Sequence, residues 1–232
     1  MSELRLNVIT REWVIIAKER AKRPRDFKGI PLRKPLPEYI KGCPFCPGNE
    51  DKTPEESFRL EGKEGWKIRV VPNKFEVLSS GGEKKWLIDG VKRTVAGVGK
   101  HEVIIESPRH NMSPALFSLE HTRDIIRIYR ERFINAHSDP RVEHAIIFKN
   151  YGEGAGTSLE HPHSQLIATP VVPLQFRDRI QAALHYFDDT GSCLVCDVLK
   201  MELKDSVRVV TDSEHFATFI PYAALSPFHT WI

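Results

Sequence analysis

Short apolar runs rich in β-branched residues recur along the chain, and they predict most of its strands. The clearest runs are Trp66–Val71, His101–Glu106 and His144–Asn150, and an earlier strand pair falls within Leu4–Ala17. Leu119–His137 follows a different period, with apolar side chains at helical spacing and arginines and acids opposite, which predicts an amphipathic helix. This order of elements predicts an α+β fold in which helices pack on one side of a sheet.

Two further segments have weaker patterns. Pro173–Phe187 begins a second predicted helical stretch. Residues 79–99 lie between two predicted strands and are rich in glycine and lysine, which predicts a mobile loop.

The composition is that of an ordinary soluble globular protein, because 41% of the 232 residues are hydrophobic and 28% are charged. The net charge of +3 fits an anionic small ligand and does not require nucleic acid as a partner. No apolar run is long enough to span a membrane, and the first residues carry scattered charges instead of the apolar region of a signal peptide. We therefore expect a cytoplasmic protein.

The densest candidate chemistry lies in the stretch 150–169. If Pro162 opens a strand, the two-residue period of a strand places His161, His163 and Gln165 on one face. A neutral imidazole is a competent nucleophile toward phosphorus, and a glutamine amide can hold a phosphoryl oxygen as negative charge builds. The alternative is a turn that carries surface histidines.

Three glycines precede the histidines, at Gly152, Gly154 and Gly156. A loop with this composition can bring backbone N–H groups close to an anion. Glutamine has no acidic proton to give to a poor leaving group. The stretch therefore predicts transfer between leaving groups that are already phosphates.

A C-x-x-C pair formed by Cys43 and Cys46 offers two thiolates to a metal ion. In a chain without a secretion signal, such a pair is more typical of a metal site than of a disulfide. Tetrahedral zinc needs two further ligands, and the candidates are His110 and His161. The alternative is a reduced pair without metal.

Seven motifs spread over nearly the whole chain carry a family resemblance: RAKRP, CPFC, PNKF, SPRH, FKNYG, GTSLEHPHSQ and CLVC. With them the chain resembles the galactose-1-phosphate uridylyltransferase family, in the transferase branch of the histidine-triad superfamily. The resemblance implies a histidine-triad-like antiparallel sheet. It also implies a structural zinc ion bound by Cys43, Cys46, His110 and His161.

The resemblance further implies a transferase and its reaction. His163 would attack the α-phosphorus of a UDP-hexose such as UDP-glucose, and the resulting uridylyl-histidine would pass UMP to galactose 1-phosphate while Gln165 steadies the transferred group. We expect a homodimer, with neither nucleic acid nor membrane as a partner. Substrate contacts are implied at Arg20, Arg23, Asn73, Asn150, Gly156 and Ser158. The arginines have the alternative of a solvated loop, and Asn73 that of an ordinary turn residue.

The chain departs from the commonest family pattern at Ser164, where many uridylyltransferases have glycine. Relatives with serine there include adenylyl-transferring enzymes of the ADP-glucose phosphorylase type. The second hypothesis is therefore an adenylyltransferase or ADP-glucose phosphorylase-like enzyme that uses the same His163. A third, from another class, is a zinc-stapled nucleotide-binding module without turnover.

The second half of the chain repeats the order of the first, beginning with a second C-x-x-C pair at Cys193 and Cys196. Since the family is an internal duplication, residues 1–172 are predicted to form the first histidine-triad-like repeat and residues 173–232 the start of a second. The remaining ligands of the second metal site would fall beyond Ile232. We therefore expect that site to be incomplete and the chain to be truncated.

Overall fold

The computed structural model describes residues 2–17, 19 and 35–232. Within these residues the chain forms eleven strands and three α-helices. In chain order they are β1 (Glu3–Leu6), β2 (Trp13–Ile16), β3 (Phe58–Gly62), β4 (Gly65–Pro72), β5 (Trp86–Asp89), β6 (Lys92–Val95), β7 (Lys100–Ile105), α1 (Leu119–His137), β8 (His144–Phe148), β9 (His163–Thr169), α2 (Leu174–Thr190), α3 (Leu194–Asp205), β10 (Val209–Asp212) and β11 (Ala217–Phe219). The predicted α+β class is confirmed.

The chain divides into two compact units. One is Leu32–Val172, and the other combines Pro173–Ile232 with the described residues of Met1–Pro31. None of the helices in the described ranges is long and apolar enough to cross a membrane. The division into two repeats stays a prediction.

The unit Leu32–Val172 is built on a five-stranded antiparallel sheet in the order β3-β4-β7-β9-β8. On one face Ile68, Val70 and Ile104 form a buried cluster with Ile125 and Ile128 of α1. Full burial of such a side chain contributes about 1.5–3 kcal/mol to folding. This cluster packs α1 against one face of the sheet, and loop segments pack against the other face.

The opposite face of the sheet packs against the segment that carries the first C-x-x-C pair. Residues of both parts form a second buried cluster: Trp66, Val71, Val103 and Ile105 from the sheet and Cys43, Phe45 and Cys46 from that segment. Register pairs Ile105 of β7 with His163 of β9 and Val103 with Gln165. The two predicted catalytic side chains therefore share this face of a central strand.

Helix α1 has the bounds that the apolar spacing predicts, Leu119–His137. It begins after Ser118, whose hydroxyl accepts a hydrogen bond from the N–H of His121 at 3.2 Å. This cap satisfies one of the N–H groups that a helix start leaves without a partner.

The prediction of a loop over residues 79–99 is wrong, since β5 and β6 form an antiparallel hairpin there. Asp89 pairs with Lys92 across a two-residue loop that begins with Gly90 at φ 57°. A glycine with positive φ at this position is what tight hairpin loops of type II′ require. Gly90 at the first loop position was the local signal for this hairpin, and the glycine and lysine content of the segment obscured it.

The other predicted elements lie within a few residues of their observed bounds, with one difference that matters for the site. Strand β9 begins at His163, not at Pro162. His161 therefore lies before the strand, although its ring packs against Phe45 as the ring of His163 does.

Candidate functional site

Four buried side chains form a cluster whose ligand atoms all lie within 4.8 Å of one another: Cys43, Cys46, His110 and His161. The two histidine Nδ1 atoms are 3.3 Å apart, and the nitrogen–sulfur separations are 3.6–3.7 Å. Tetrahedral zinc with ordinary bond lengths needs about 3.3 Å between nitrogens and about 3.6 Å between nitrogen and sulfur. The four residues therefore fit a zinc ion.

Groups around the cluster orient its ligands. The Nε2–H of His161 donates to the backbone oxygen of Ser107 at 2.7 Å, so the lone pair of Nδ1 faces the cluster. The N–H of Ile40 donates to Sγ of Cys46 at 3.3 Å, a contact that favours a thiolate. Both contacts are the kind that support a metal ligand from behind.

Burial governs the ionisation of this cluster. It lowers the pKa of His161 to about 4, with a smaller opposing effect from the Ser107 carbonyl. Burial likewise lowers the pKa of His110 and raises that of the Cys43 thiol. The imidazoles are therefore neutral at neutral pH and keep lone pairs for a metal, whose charge would offset the cost of the thiolates.

The backbone of His161 orients the ring of His163. Its Nδ1–H donates to the backbone oxygen of His161 at 2.8 Å, which leaves Nε2 with a lone pair. Phe45 packs edge-on against the ring with centroids 5.3 Å apart. Burial is the largest cause of a lowered pKa at His163, so the ring is neutral near pH 7.

A cleft of about 680 Å³ lies in front of His163 and Gln165. Among the residues that line it are Asn73, Gly156 and Ser158, so the structure brings these sequence-predicted contacts to the same place. Residues that the sequence did not single out also line it, including Phe45, Lys52, Thr53, Lys74, Phe75 and Leu159.

One predicted substrate contact within the described residues lies outside the cleft. Asn150 is exposed and does not line the cleft. Arg20 and Arg23 lie outside the described residues.

The glycine loop folds as one turn of 3-10 helix over Glu153–Ala155, flanked by Gly152 at φ 87° and Gly156 at φ 75°. These angles strain any residue with a Cβ atom. The N–H groups of Ala155 and Gly156 are used within the loop, on the carbonyls of Gly152 and Glu153. Of the three glycines, only Gly156 lines the cleft.

Behind the cleft lies a buried polar network that the sequence did not reveal. Glu106 is 1% exposed and accepts hydrogen bonds from Lys149, Tyr129 and Ser164. Lys149 also donates to the backbone oxygen of His163 at 3.0 Å. Ser164 therefore points toward α1 and away from the cleft, as strand alternation next to His163 requires.

The second C-x-x-C pair, Cys193 and Cys196, is exposed at the start of α3. Within the described residues, Cys43, Cys46, His110 and His161 form the only group of three or more side chains placed to share a metal. The incomplete second site stays a prediction.

The fold and the site together define a class of protein. A histidine on an inner strand of an antiparallel sheet, two residues after a histidine of a Cys2His2 cluster and two before a glutamine, is the transferase form of the histidine-triad arrangement. The chain belongs to the galactose-1-phosphate uridyl transferase family, because the model of that family's N-terminal domain matches residues 1–173. The resemblance stated from the sequence is thereby confirmed.

Individual relatives come from two enzyme groups. An ADP-glucose phosphorylase of Arabidopsis thaliana is 37% identical over 233 residues, and a galactose-1-phosphate uridylyltransferase of Thermotoga maritima is 28% identical over 233 residues. These alignments cover 99% and 100% of this chain but 65% and 66% of the relatives.

A crystal structure of an Arabidopsis thaliana ADP-glucose phosphorylase with bound ADP-glucose superimposes with a TM-score of 0.76 at 32% identity. That superposition covers 97% of this chain and 65% of the other. The chain thus spans about two thirds of the length of these relatives.

Proposed function

We propose that this chain carries the nucleotide-accepting site of a nucleotidylyltransferase. His163 attacks the α-phosphorus of a nucleoside diphosphate sugar, and the sugar 1-phosphate leaves. The nucleotidyl group then passes from the histidine to a second phosphate. The observation that carries the proposal is the hydrogen bond from Nδ1–H of His163 to the carbonyl of His161, since it leaves the Nε2 lone pair for the cleft.

The first step needs no general acid, because the leaving group is a stable phosphate. The Nε2–P bond forms as the bond from phosphorus to the bridging oxygen breaks, and that oxygen leaves as part of a stable phosphate monoester. Positive charge then spreads over the ring, and the His161 carbonyl stabilises it through Nδ1–H at 2.8 Å. Gln165 needs only to donate an N–H to the phosphoryl oxygen.

The zinc ion that the four ligands fit would have a structural role. With four protein ligands it would have no open position for a water molecule, so the chemistry it supplies is to cross-link Cys43, Cys46, His110 and His161. His161 contributes both a metal ligand and the carbonyl that orients His163. Fixing this residue therefore fixes the nucleophile.

For the nucleotide, the first candidate is UMP, moved from a UDP-hexose to galactose 1-phosphate. The family model and the uridylyltransferase relatives support it. The second candidate is AMP from ADP-glucose, which the higher identity to the ADP-glucose phosphorylase supports. Ser164 does not decide between them by contact with the base, because it faces α1.

Mass measurement of the intact protein after incubation with UDP-glucose or ADP-glucose tests the proposal. We expect a covalent adduct of one nucleoside monophosphate, and the mass of that adduct identifies the base. Nucleotide binding without an adduct from either sugar would instead support the non-catalytic binding module. Location in the cytoplasm and a homodimer stay predictions.

A further inference from the structure

His101 is a buried histidine outside the site predicted from the sequence. It lies on β7, opposite Ile167 of β9, and is 6% exposed. It does not line the cleft, but its ring lies behind the side chain of Gln165, which does. Its two ring nitrogens therefore contact the protein and not the substrate.

The neighbours of His101 determine which nitrogen carries the proton. The backbone N–H of Val77 donates to Nδ1 at 3.3 Å, and a backbone N–H can only donate. Nδ1 therefore has the lone pair, and the proton of the neutral ring is on Nε2. Nε2 lies 2.9 Å from Oε1 of Gln165, so this oxygen accepts the Nε2–H hydrogen bond.

Asn73 acts on the same oxygen from a second direction. Its Oδ1 accepts from the N–H of Phe75 at 2.9 Å, which fixes Nδ2 as the group that faces Gln165. Nδ2 lies 3.3 Å from Oε1 of Gln165 and 3.0 Å from Nε2 of His101. Because both groups are donors, the 3.0 Å contact between them is not a hydrogen bond, and the acceptor that both reach is Oε1 of Gln165. The amide nitrogen of Gln165 is left for the cleft.

We propose that His101 is a positioning residue for the reaction, which orients the carboxamide of Gln165 so that its N–H₂ group, and not its oxygen, faces the transferred phosphoryl group. This inference rests on the proposed function of His163. An amide turned by 180° would present its oxygen to a phosphoryl oxygen, and repulsion would replace a hydrogen bond in the transition state. His101 prevents that rotation because only an acceptor satisfies its Nε2–H.

Two substitutions separate this role from a structural one. The amide nitrogen of glutamine can occupy the place of Nε2, so His101→Gln keeps a donor for Gln165. Asparagine is one carbon shorter and reaches only the place of Nδ1, so His101→Asn keeps an acceptor for Val77 and loses the donor. A residue needed only for folding would tolerate the smaller asparagine no worse than glutamine.

The experiment measures the rate at which each protein forms the His163 adduct with saturating UDP-glucose or ADP-glucose in a single turnover. We expect His101→Asn to slow it by about tenfold to one hundredfold and His101→Gln to retain most of it. On a Gln165→Ala background, His101→Asn should have no further effect. An unchanged rate in His101→Asn, or the same loss on both backgrounds, would overturn the proposal.

A second measurement uses the wild-type protein and needs no activity. Nitrogen-15 spectra of the histidine rings, with His101 assigned by its absence in His101→Gln, report which ring nitrogen is protonated. A proton on Nε2 is expected, and a proton on Nδ1 would overturn the inference even if His163 takes no label. Absence of label from the wild type would contradict the proposed function alone.

Discussion

Neighbouring residues on β9 have different tasks because a strand turns alternate side chains to opposite faces. His163 and Gln165 face the cleft, whereas Ser164 faces α1 and contacts Tyr129 and Glu106. The first two are the side chains proposed for the chemistry, and the third supports the strand through its contacts with Tyr129 and Glu106. Substitutions at the two faces should therefore be distinguishable by what they change.

The first prediction concerns the site of covalent attachment. His163→Ala should abolish the nucleotidyl adduct while it retains zinc and the fold, because His163 is not part of the Cys2His2 cluster. His161→Ala should instead lose zinc and stability. Intact-mass measurement and metal analysis check both. Survival of the adduct in His163→Ala would contradict the assignment.

The second prediction concerns the buried ion pair of Lys149 and Glu106, whose side chains are 19% and 2% exposed. Lys149→Met leaves a buried carboxylate without its counterion and should lower the free energy of unfolding by about 2–3 kcal/mol. Adding Glu106→Gln should restore part of the loss, since it removes the uncompensated charge.

Urea unfolding measures this loss of stability, with Lys92→Met as the matched control. Lys92 pairs with Asp89, but the two side chains are 80% and 77% exposed. The control should therefore change stability by at most about 0.5 kcal/mol. If Lys149→Met and Lys92→Met lowered the free energy of unfolding equally, the buried ion pair would contribute no more to stability than the exposed one.

At the scale of elements, close approach of β7 and β9 decides which residues the sheet accepts. Gly99 immediately precedes β7 with φ 152°, and a Cβ atom there would overlap the carbonyl oxygen of Ala168 on β9. His101 and His163 lie on these two strands, so their spacing also sets the site.

The third prediction follows from this contact. Gly99→Ala should lower the free energy of unfolding by at least about 2 kcal/mol, because backbone and not a flexible side chain blocks the new methyl group. Gly81→Ala is the control, since its nearest neighbour to a new Cβ is Ser79 Oγ at 3.8 Å. Thermal unfolding compares the two variants. Similar unfolding midpoints for Gly99→Ala and Gly81→Ala would show that β7 and β9 can move apart to accept the methyl group.

The fourth prediction concerns the turn between α1 and β8. The side chain of Arg141 donates hydrogen bonds to the carboxylate of Asp139. This is the largest cause of a low pKa at Asp139, about 2 against an ordinary 3.8. The folded state thus binds the proton more weakly than the unfolded state. The stability from this pair is present above pH 3.8 and is lost as the pH falls toward 2.

Thermal unfolding of wild type and Asp139→Asn between pH 5 and pH 2.5 checks this prediction. The midpoints should differ at the upper pH and converge at the lower one. Arg141→Met should remove the same pH-dependent part. A constant difference across the range would mean that the carboxyl has no depressed pKa.

At the scale of the whole molecule, all residues of the metal cluster and the described residues of the cleft lie within Leu32–Val172. The exposed pair Cys193 and Cys196 belongs to the other unit. A substitution in one C-x-x-C pair therefore tests that pair without altering the ligands of the other.

The fifth prediction is one tightly bound zinc per chain. The Cys43 cluster offers four ligands and should retain its ion after a chelator wash, whereas two exposed thiols alone should not. Emission spectrometry measures the ratio, with Cys43→Ser as a variant that should lose the ion. Two retained equivalents would contradict the incomplete second site.

The sequence by itself determined the helix Leu119–His137, the strands around β4, β7 and β8, and Cys43 and Cys46 as candidate metal ligands. Apolar periodicity is a local property and survives without knowledge of the fold. The C-x-x-C spacing is also local, whereas the choice of His110 and His161 as the remaining ligands came from the family resemblance. The hairpin β5–β6 was missed although its signal, Gly90 at the first loop position, was equally local.

Only the tertiary structure decided how the candidate catalytic residues are held. Three contacts depend on strand register or on a turn. They are the hydrogen bond from His163 to the carbonyl of His161, the contact of Ser164 with α1 and the hydrogen bond from His101 to Gln165. Glu106 and Lys149 are 43 positions apart and meet because β7 and β8 both flank β9. Periodicity shows which side chains share a face, but side-chain partners across strands follow from a register that the whole core fixes.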